Sequence, residues 1–404
     1  MRPAPRTFLF LSQVYVPDPA AIGQHLADAA EELARRGHRV IVYTADHGYD
    51  DPSVAYPRRE VVGGVEVRRV PLSSFGKSSI PVRLIGGALF VLQTVLRAAF
   101  VKRVDAVVVS TSPPMGALGA VTLGLIHGAP VKYWVMDVNP DQTVALGKAG
   151  PRSLPVRVFD VVNRLVLRRA ADVIVLDRFM AARINRKVDV SKKLTVMPPW
   201  PAEDSGTVVA HDANPFRKEQ RLDGKIVIMY SGNHGPSNPL ATIIEAARRV
   251  DDDPRLVLMF VGGGIGKKQV DAAVSDRIRS LPYQPREALR HSLAAADVHL
   301  VTVGDAIPGI VHPSKVYGAM AVARPIFLVG PAENHVADIL AAADIGWHVR
   351  HGDVDGAVRV LREILAMDPA ELEAKGLRAR ELLSRSGGKA ASCARFCDLL
   401  ERGV

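Results

Sequence analysis

The sequence predicts an α/β fold of two tandem units, each built on a parallel sheet, and three observations carry that prediction. Short apolar runs such as Val40-Ile41-Val42 and Val107-Val108-Val109 alternate with segments whose apolar residues recur at helical spacing. The alternation restarts after Pro198-Pro199-Trp200-Pro201. The 404 residues are enough for two to three domains at roughly 100–200 residues each.

In the first half, Thr7–Ser12 reads as a buried strand, followed by a loop with Pro17, Pro19 and Gly23. Gln24–Arg36 is helical, with Leu26, Ala29, Ala30 and Leu33 on one stripe, and Gly37 stops it before the strand Arg39–Thr44. That βαβ unit opens a parallel sheet. Val62–Val70, Ala106–Ser110, Val131–Met136, Ala171–Leu176 and Leu194–Met197 continue it as strands. Pro198–Pro201 and the polar stretch 202–214 read as a linker. Beyond it, Lys225–Tyr230, Leu256–Val261, Val298–Val303 and Pro325–Val329 are strands. Leu240–Val250, a segment around Ser292–Ala296, and Lys315–Val322 are helices. The expected domains are 1–205 and 206–387, with a last helix in 388–404.

Composition excludes several classes. With 48% apolar and 23% charged residues the chain is ordinary globular material. Its two cysteines, Cys393 and Cys397, rule out a disulfide framework and a zinc site built on cysteines. No run approaches the roughly 20 apolar residues needed to span a bilayer. The expectation is a cytoplasmic protein. Residues 1–205 hold 27 Lys and Arg against 18 Asp and Glu, whereas the remainder holds 25 against 24. A basic first half points to an anionic partner: a phosphate-bearing substrate, a lipid surface or nucleic acid. Nucleic acid is the weakest of these, because aromatic residues are only 5% of the chain and no reader motif is present. Within 81–101 the polar residues Arg83, Gln93, Thr94 and Arg97 fall near one narrow helical face, followed by Lys102-Arg103. The segment reads either as a helix in a membrane interface or as a core helix.

Three glycine-rich strand–helix junctions stand at the carboxyl ends of strands, where open α/β sheets bind ligands: Pro17–Gly23, Ser231–Gly235 and Gly262-Gly263-Gly264. Helix N-termini there suit a diphosphate, although each glycine is individually compatible with an ordinary turn. Pro313-Ser314-Lys315 opens a further helix. Lys315 in a first turn opposes the helix dipole unless an anion is bound there too. Asp137 ends the apolar strand Tyr133–Met136, as a catalytic or substrate-orienting carboxylate or as a turn former. The histidines show no metal-ligand spacing, and no metal or other cofactor is expected.

These residues resemble family 4 glycosyltransferases. The segments that carry the likeness are 17–24 and 33–40, Thr111–Pro114, Trp134–Asp141 and Tyr230–Asn233. Leu281–Pro285, Ala296–Val298 and Pro313–Gly318 continue it in order. The likeness covers essentially the whole chain and matches the branch that builds bacterial surface polysaccharides. It implies the GT-B architecture, with two Rossmann-like domains facing a central cleft and a last helix, Gly388–Arg402, crossing back to the first domain. It also implies retaining, metal-independent transfer from a nucleotide sugar, expected to be UDP-linked. The acceptor would be a lipid-linked saccharide on a polyprenyl diphosphate.

In that reading Asp137, Lys315 and His234 are catalytic. Gly23, Gly232, Asn233, Gly262, Gly263, Tyr283, Gln284, Ser314 and Val316 bind substrate. The basic first domain meets the anionic inner face of the cell membrane peripherally. The chain departs from the family pattern at Met136, where a histidine is usual. The usual paired glutamates fall at Ile310 and Gly318, and the usual diphosphate-binding Arg and Lys at Asn233 and Asn238. Two alternatives stand beside it: a GT-B nucleotide-sugar epimerase, and a catalytically silent nucleotide-sugar-binding protein.

Overall fold

The computed structural model describes residues 4–18, 20–48, 51–75, 80–201, 208–250, 252–385 and 387–404. Pro19 and positions 202–207 of the expected linker lie outside them. The chain divides into two compact units, Met1–Ala202 with Ala390–Val404, and Glu203–Lys389.

The first unit runs β1 (Thr7–Leu11), α1 (Ala21–Arg35), β2 (Arg39–Ala45), β3 (Arg59–Val62), β4 (Val65–Val70), α2 (Ile80–Ala98), β5 (Ala106–Ser110) and α3 (Gly116–His127). It continues with β6 (Val131–Val135), α4 (Asp141–Ala145), α5 (Leu154–Arg169), β7 (Asp172–Val175), α6 (Arg178–Lys187) and β8 (Leu194–Val196). The sheet order is β3-β4-β2-β1-β5-β6-β7-β8. Every pairing is parallel except β3 with β4, so the sheet is mixed at one edge. The strand expected over 62–70 is β4, and an unexpected β3 before it forms a hairpin with it through Gly63 and Gly64, both at positive φ. β1, β5 and β6 are buried along their whole length, as strands covered on both faces must be.

The second unit runs α7 (Pro215–Glu219), β9 (Ile226–Ser231), α8 (Ala241–Arg249), β10 (Leu256–Val261), α9 (Lys267–Asp271), β11 (Ile278–Leu281) and α10 (Arg286–Ala294). It continues with β12 (Val298–Thr302), α11 (Lys315–Ala321), β13 (Ile326–Val329), α12 (His335–Ala342), β14 (Gly346–Val349), α13 (Val354–Ala366) and α14 (Pro369–Arg385). Its sheet is wholly parallel, in the order β11-β10-β9-β12-β13-β14. This is the doubly wound dinucleotide-fold order, whose direction reverses between β9 and β12. Ala296-Asp297-Val298 is explained by packing: the Asp297 carboxylate accepts the Val227 N–H at 2.7 Å and pairs with Arg217 at 3.2 Å. Arg217 is buried and fully engaged, donating also to the carbonyls of Ala295, Leu222 and Lys225. The ion pair and these carbonyls compensate a charge that would otherwise be costly to bury.

The last helix, α15 (Gly388–Glu401), packs from Ala390 onward in the first unit. Phe396 lies 4.4 Å from Trp134 between ring centroids, and Trp134 stacks on Trp200 at 5.9 Å. Trp200 is buried, and its indole N–H donates to Asp28 at 2.9 Å. It is therefore core of the first unit rather than linker. At the other end, Asn214 is buried and caps α7 through Phe216. The Arg36-Gly37-His38 segment is a docking point for α15. Arg36 pairs with Asp398 and Glu401, and His38 Nε2 donates to Glu401 at 2.8 Å while Nδ1 accepts the Arg6 N–H.

Candidate active site

The reversal of strand order in the second unit brings two loops together, the one leaving β9 and the one leaving β12. Gly232, at φ +132°, turns the chain off β9. A Cβ there would stand 2.5 Å from Lys315 Cε, so the lysine stem lies directly against the glycine. Gly262, at φ +134°, turns the chain off β10, and a Cβ there would stand 2.1 Å from the Gly232 carbonyl oxygen. The two glycines are needed both for their backbone conformation and for this close approach. The Tyr283 ring covers the second turn: a Cβ on Gly263 would meet its Cε2 at 3.1 Å. Its residue remains 58% exposed, leaving a face for a planar ligand.

Lys315 is the first residue of α11 and half-buried. Its Nζ lies 5.1 Å from the Tyr230 ring centroid, and no hydrogen bond or ion pair reaches it among the described residues. Loss of hydration pulls its pKa down from the usual lysine range to about 8. Ser314 caps nothing with its side chain and is exposed. Behind them the Tyr317 hydroxyl bridges two imidazoles, 2.9 Å from His312 Nε2 and 2.7 Å from His335 Nε2, which anchors the segment carrying Lys315. Asn233 is exposed on the Gly232 turn. Gln284 is half-exposed, with its amide donating to the Pro282 carbonyl at 3.1 Å.

Three expected ligand contacts need correction. His234 is fully buried, with its ring among Tyr230 and Phe260. Its N–H donates to the Gly263 carbonyl at 2.7 Å, its own carbonyl accepts from Gly266 at 2.7 Å, and its Nδ1 is 3.2 Å from the Gly263 oxygen. It ties the β9 and β10 turns together and offers a ligand no surface; burial also lowers its pKa. Val316 is buried too, and its N–H points to the Pro313 carbonyl. Gly23 lies inside α1 and is buried; its N–H donates to Ala20, and a Cβ would meet the Tyr15 backbone at 3.1 Å. The packing of α1 against the loop after β1 needs that glycine.

Asp137 belongs to the first unit, one residue beyond the loop position Met136 that follows β6. Its N–H donates to Thr111 Oγ1 at 3.2 Å, fixing the β6 loop to the β5 loop. Desolvation raises its pKa to about 6. A carboxyl held near neutrality by its surroundings is a feature of acid–base and substrate-orienting sites. Tyr230, a strand end and part of the Tyr230–Asn233 likeness in the sequence but not among its site residues, supports the Lys315 ammonium with its ring.

The family model for the glycosyl transferase 4-like domain matches residues 20–200, within the first unit. WbjE of Pseudomonas aeruginosa, an inferred glycosyltransferase, is 28% identical over 278 residues, covering 67% of this chain and 68% of WbjE. WcaI of Escherichia coli, an inferred colanic acid biosynthesis glycosyl transferase, is 26% identical over 386 residues, covering 91% of this chain and 94% of WcaI. By these matches the chain is similar to the family 4 glycosyltransferases. Its fold is GT-B: HepE of Anabaena, solved with UDP and glucose, superposes with a TM-score of 0.73 at 14% identity, covering 98% of this chain and 99% of HepE.

Proposed function

We propose that this glycosyltransferase moves a sugar from a UDP-linked donor to a lipid-linked saccharide, with retention and without a metal, at the inner membrane face during surface-polysaccharide assembly. The observation that carries the reading is Lys315: a half-buried ammonium set on a glycine turn, its pKa lowered by lost hydration, with no anion paired to it among the described residues. Such a group is costly to keep unless a ligand supplies the charge. A diphosphate fits, because it is dianionic or more and would meet Lys315 and the exposed Ser314 together. Tyr283 then presents a face for the base.

In the transfer, the C1–O bond to the diphosphate breaks with its electron pair leaving on phosphate. A new C1–O bond forms to the acceptor hydroxyl, whose proton passes to the departing phosphate oxygen. Lys315 would stabilise that developing charge, the kind of contact that strengthens on the way to the transition state. Asp137 would orient the sugar or the acceptor hydroxyl. The UDP and glucose in HepE and the polysaccharide role in the name of WcaI support the substrate classes.

The lipid side of the reading rests on α2. The polar residues grouped by periodicity divide in the structure: Thr94 is buried and the Gln93 amide bonds inward to the Pro71 carbonyl, whereas Arg83 and Arg97 are exposed. Leu84, Ile85, Leu92 and Leu96 point outward, with Phe100 85% exposed just beyond. Arg83, Arg97, Lys102 and Arg103 are exposed on the same helix and just beyond its end. α3 packs between α2 and α5, and α5 adds exposed Leu154, Val158, Val161 and Leu165. No described helix is long and apolar enough to cross a membrane. An apolar stripe accompanied by cations suits an anionic interface.

The test is a thermal-shift screen of UDP, GDP and their sugar conjugates against wild type and Lys315→Ala. A ligand that binds the folded chain stabilises it by RT ln(1 + L/Kd), with L the free ligand concentration, which raises the melting temperature. A UDP-series shift that disappears in the variant is expected. No shift with any nucleotide refutes the donor assignment.

A further inference from the structure

We infer that the first unit carries a subsite for the lipid diphosphate of the acceptor, built around His47 and Arg83; the inference rests on the lipid-linked acceptor of the proposed function. The observations begin at the carboxyl end of β2. There the Asp46 carboxylate is buried and bonds the His47 ring through Nδ1 at 2.7 Å, while the His47 side chain remains 42% exposed. A carboxylate behind Nδ1 fixes the ring orientation and turns Nε2 outward. Among the described residues no hydrogen bond to Nε2 is present.

The next link is the short loop after β4. The Ser74 hydroxyl donates to the Gly48 carbonyl at 3.1 Å, holding the His47 turn on one side. On its other side the same loop meets α2: a Cβ on Gly86 would stand 3.2 Å from Phe75 Cδ2 and 3.4 Å from the Ser73 carbonyl. Arg83 is exposed three residues before Gly86, on the same helical face. The Ser73–Phe75 loop therefore touches both the turn that follows His47 and the turn of α2 that follows Arg83. Phe75, Leu84 and Ile85 expose apolar surface beside them. A phosphate oxygen at Nε2 would have both imidazole nitrogens donating, and the guanidinium would hold a second oxygen. An isoprenoid chain leaving that phosphate would run onto the α2 stripe.

The spacing from Asp137 is consistent. In the sheet β2 and β6 are separated by β1 and β5, three inter-strand steps of about 4.8 Å, or roughly 14 Å. A short saccharide bridges that distance between the reacting hydroxyl and the diphosphate. Without a saccharide between them, the diphosphate would have to lie much closer to Asp137.

The probe is farnesyl diphosphate, titrated calorimetrically into the full chain carrying Lys315→Ala, which removes the donor-side cation. Farnesol and inorganic diphosphate are run as separate arms. Binding of farnesyl diphosphate that weakens at least fivefold with His47→Ala or Arg83→Ala, and less with His47→Gln, supports the subsite. UDP affinity of the same substitutions in the wild-type background should be unchanged, which also shows that they fold. Equal binding of inorganic diphosphate would overturn the lipid assignment, and equal binding of farnesol would overturn the phosphate assignment. No binding of farnesyl diphosphate, or binding indifferent to His47 and Arg83, would overturn the inference while UDP binding leaves the donor reading standing. Loss of UDP binding by wild type would instead strike the proposed function itself.

Discussion

Nucleotide binding should weaken as the pH rises past about 8, and Lys315 sets the slope. In the free protein, desolvation holds its pKa near 8, so the ammonium is present below that pH and lost above it. If the diphosphate binds only the charged form, the competent fraction falls from about nine-tenths at pH 7 to about one-hundredth at pH 10, a loss in affinity of roughly 90-fold. The sign follows from the linkage: a bound anion restores the charged form, so binding takes up a proton at pH above 8. Calorimetric titration of UDP across this range, in buffers of differing ionisation enthalpy, reads both the affinity and the proton uptake. Lys315→Arg is the control, since guanidinium stays charged throughout and any titration of the nucleotide itself appears equally in both proteins. A wild-type profile parallel to that of the arginine variant, with no proton taken up, would refute the assignment of the diphosphate to Lys315.

Four further outcomes are expected. Gly262→Ala should destabilise the second unit by about 2–5 kcal/mol in denaturant unfolding and abolish UDP binding, because its φ is +134° and its Cβ would overlap the Gly232 carbonyl. Gly352→Ala, at φ +82° with open space around it, should cost only about 1 kcal/mol and leave binding intact. Asp137→Asn should abolish transfer yet melt higher than wild type near neutral pH. The raised pKa means the charged form is disfavoured in the folded chain, so the stability gap should open as pH rises from about 4 through about 6 and close again in acid. The Leu92→Glu, Leu96→Glu double variant should lose flotation with anionic vesicles while retaining UDP binding, since both side chains are outward-facing on α2.

The parallel strands were legible because burial on both faces writes itself as unbroken apolar runs, as in Leu256–Val261, whose bounds were read correctly. The edge strand β3 was not, since Arg59 and Glu60 are charged and no residue of it is fully buried. β14 went unread because Gly346, Trp347 and His348 give little strand signal; the strand is held by its pairing to β13. Helical periodicity located α2 but not its orientation: a stripe pattern says which residues share a face, and only the neighbouring β4 loop and α3 decide which face is covered. The same limit explains the ligand residues. A histidine after a glycine turn looks like a contact, yet the Gly263 and Gly266 bonds draw His234 inward. Lys315 could be singled out because its charge is locally unfavourable in a first turn, a conflict visible in sequence alone. Tyr230 could not, because the support it gives that charge depends on β9 and α11 meeting at the reversal of strand order.

The most direct test of the account is a crystal structure of the full chain with UDP. It should place the diphosphate within hydrogen-bonding distance of Lys315 Nζ, beside the Gly232 turn, with the uracil against Tyr283. UDP bound away from the Gly232 and Gly262 turns, with Lys315 still facing only the Tyr230 ring, would contradict it.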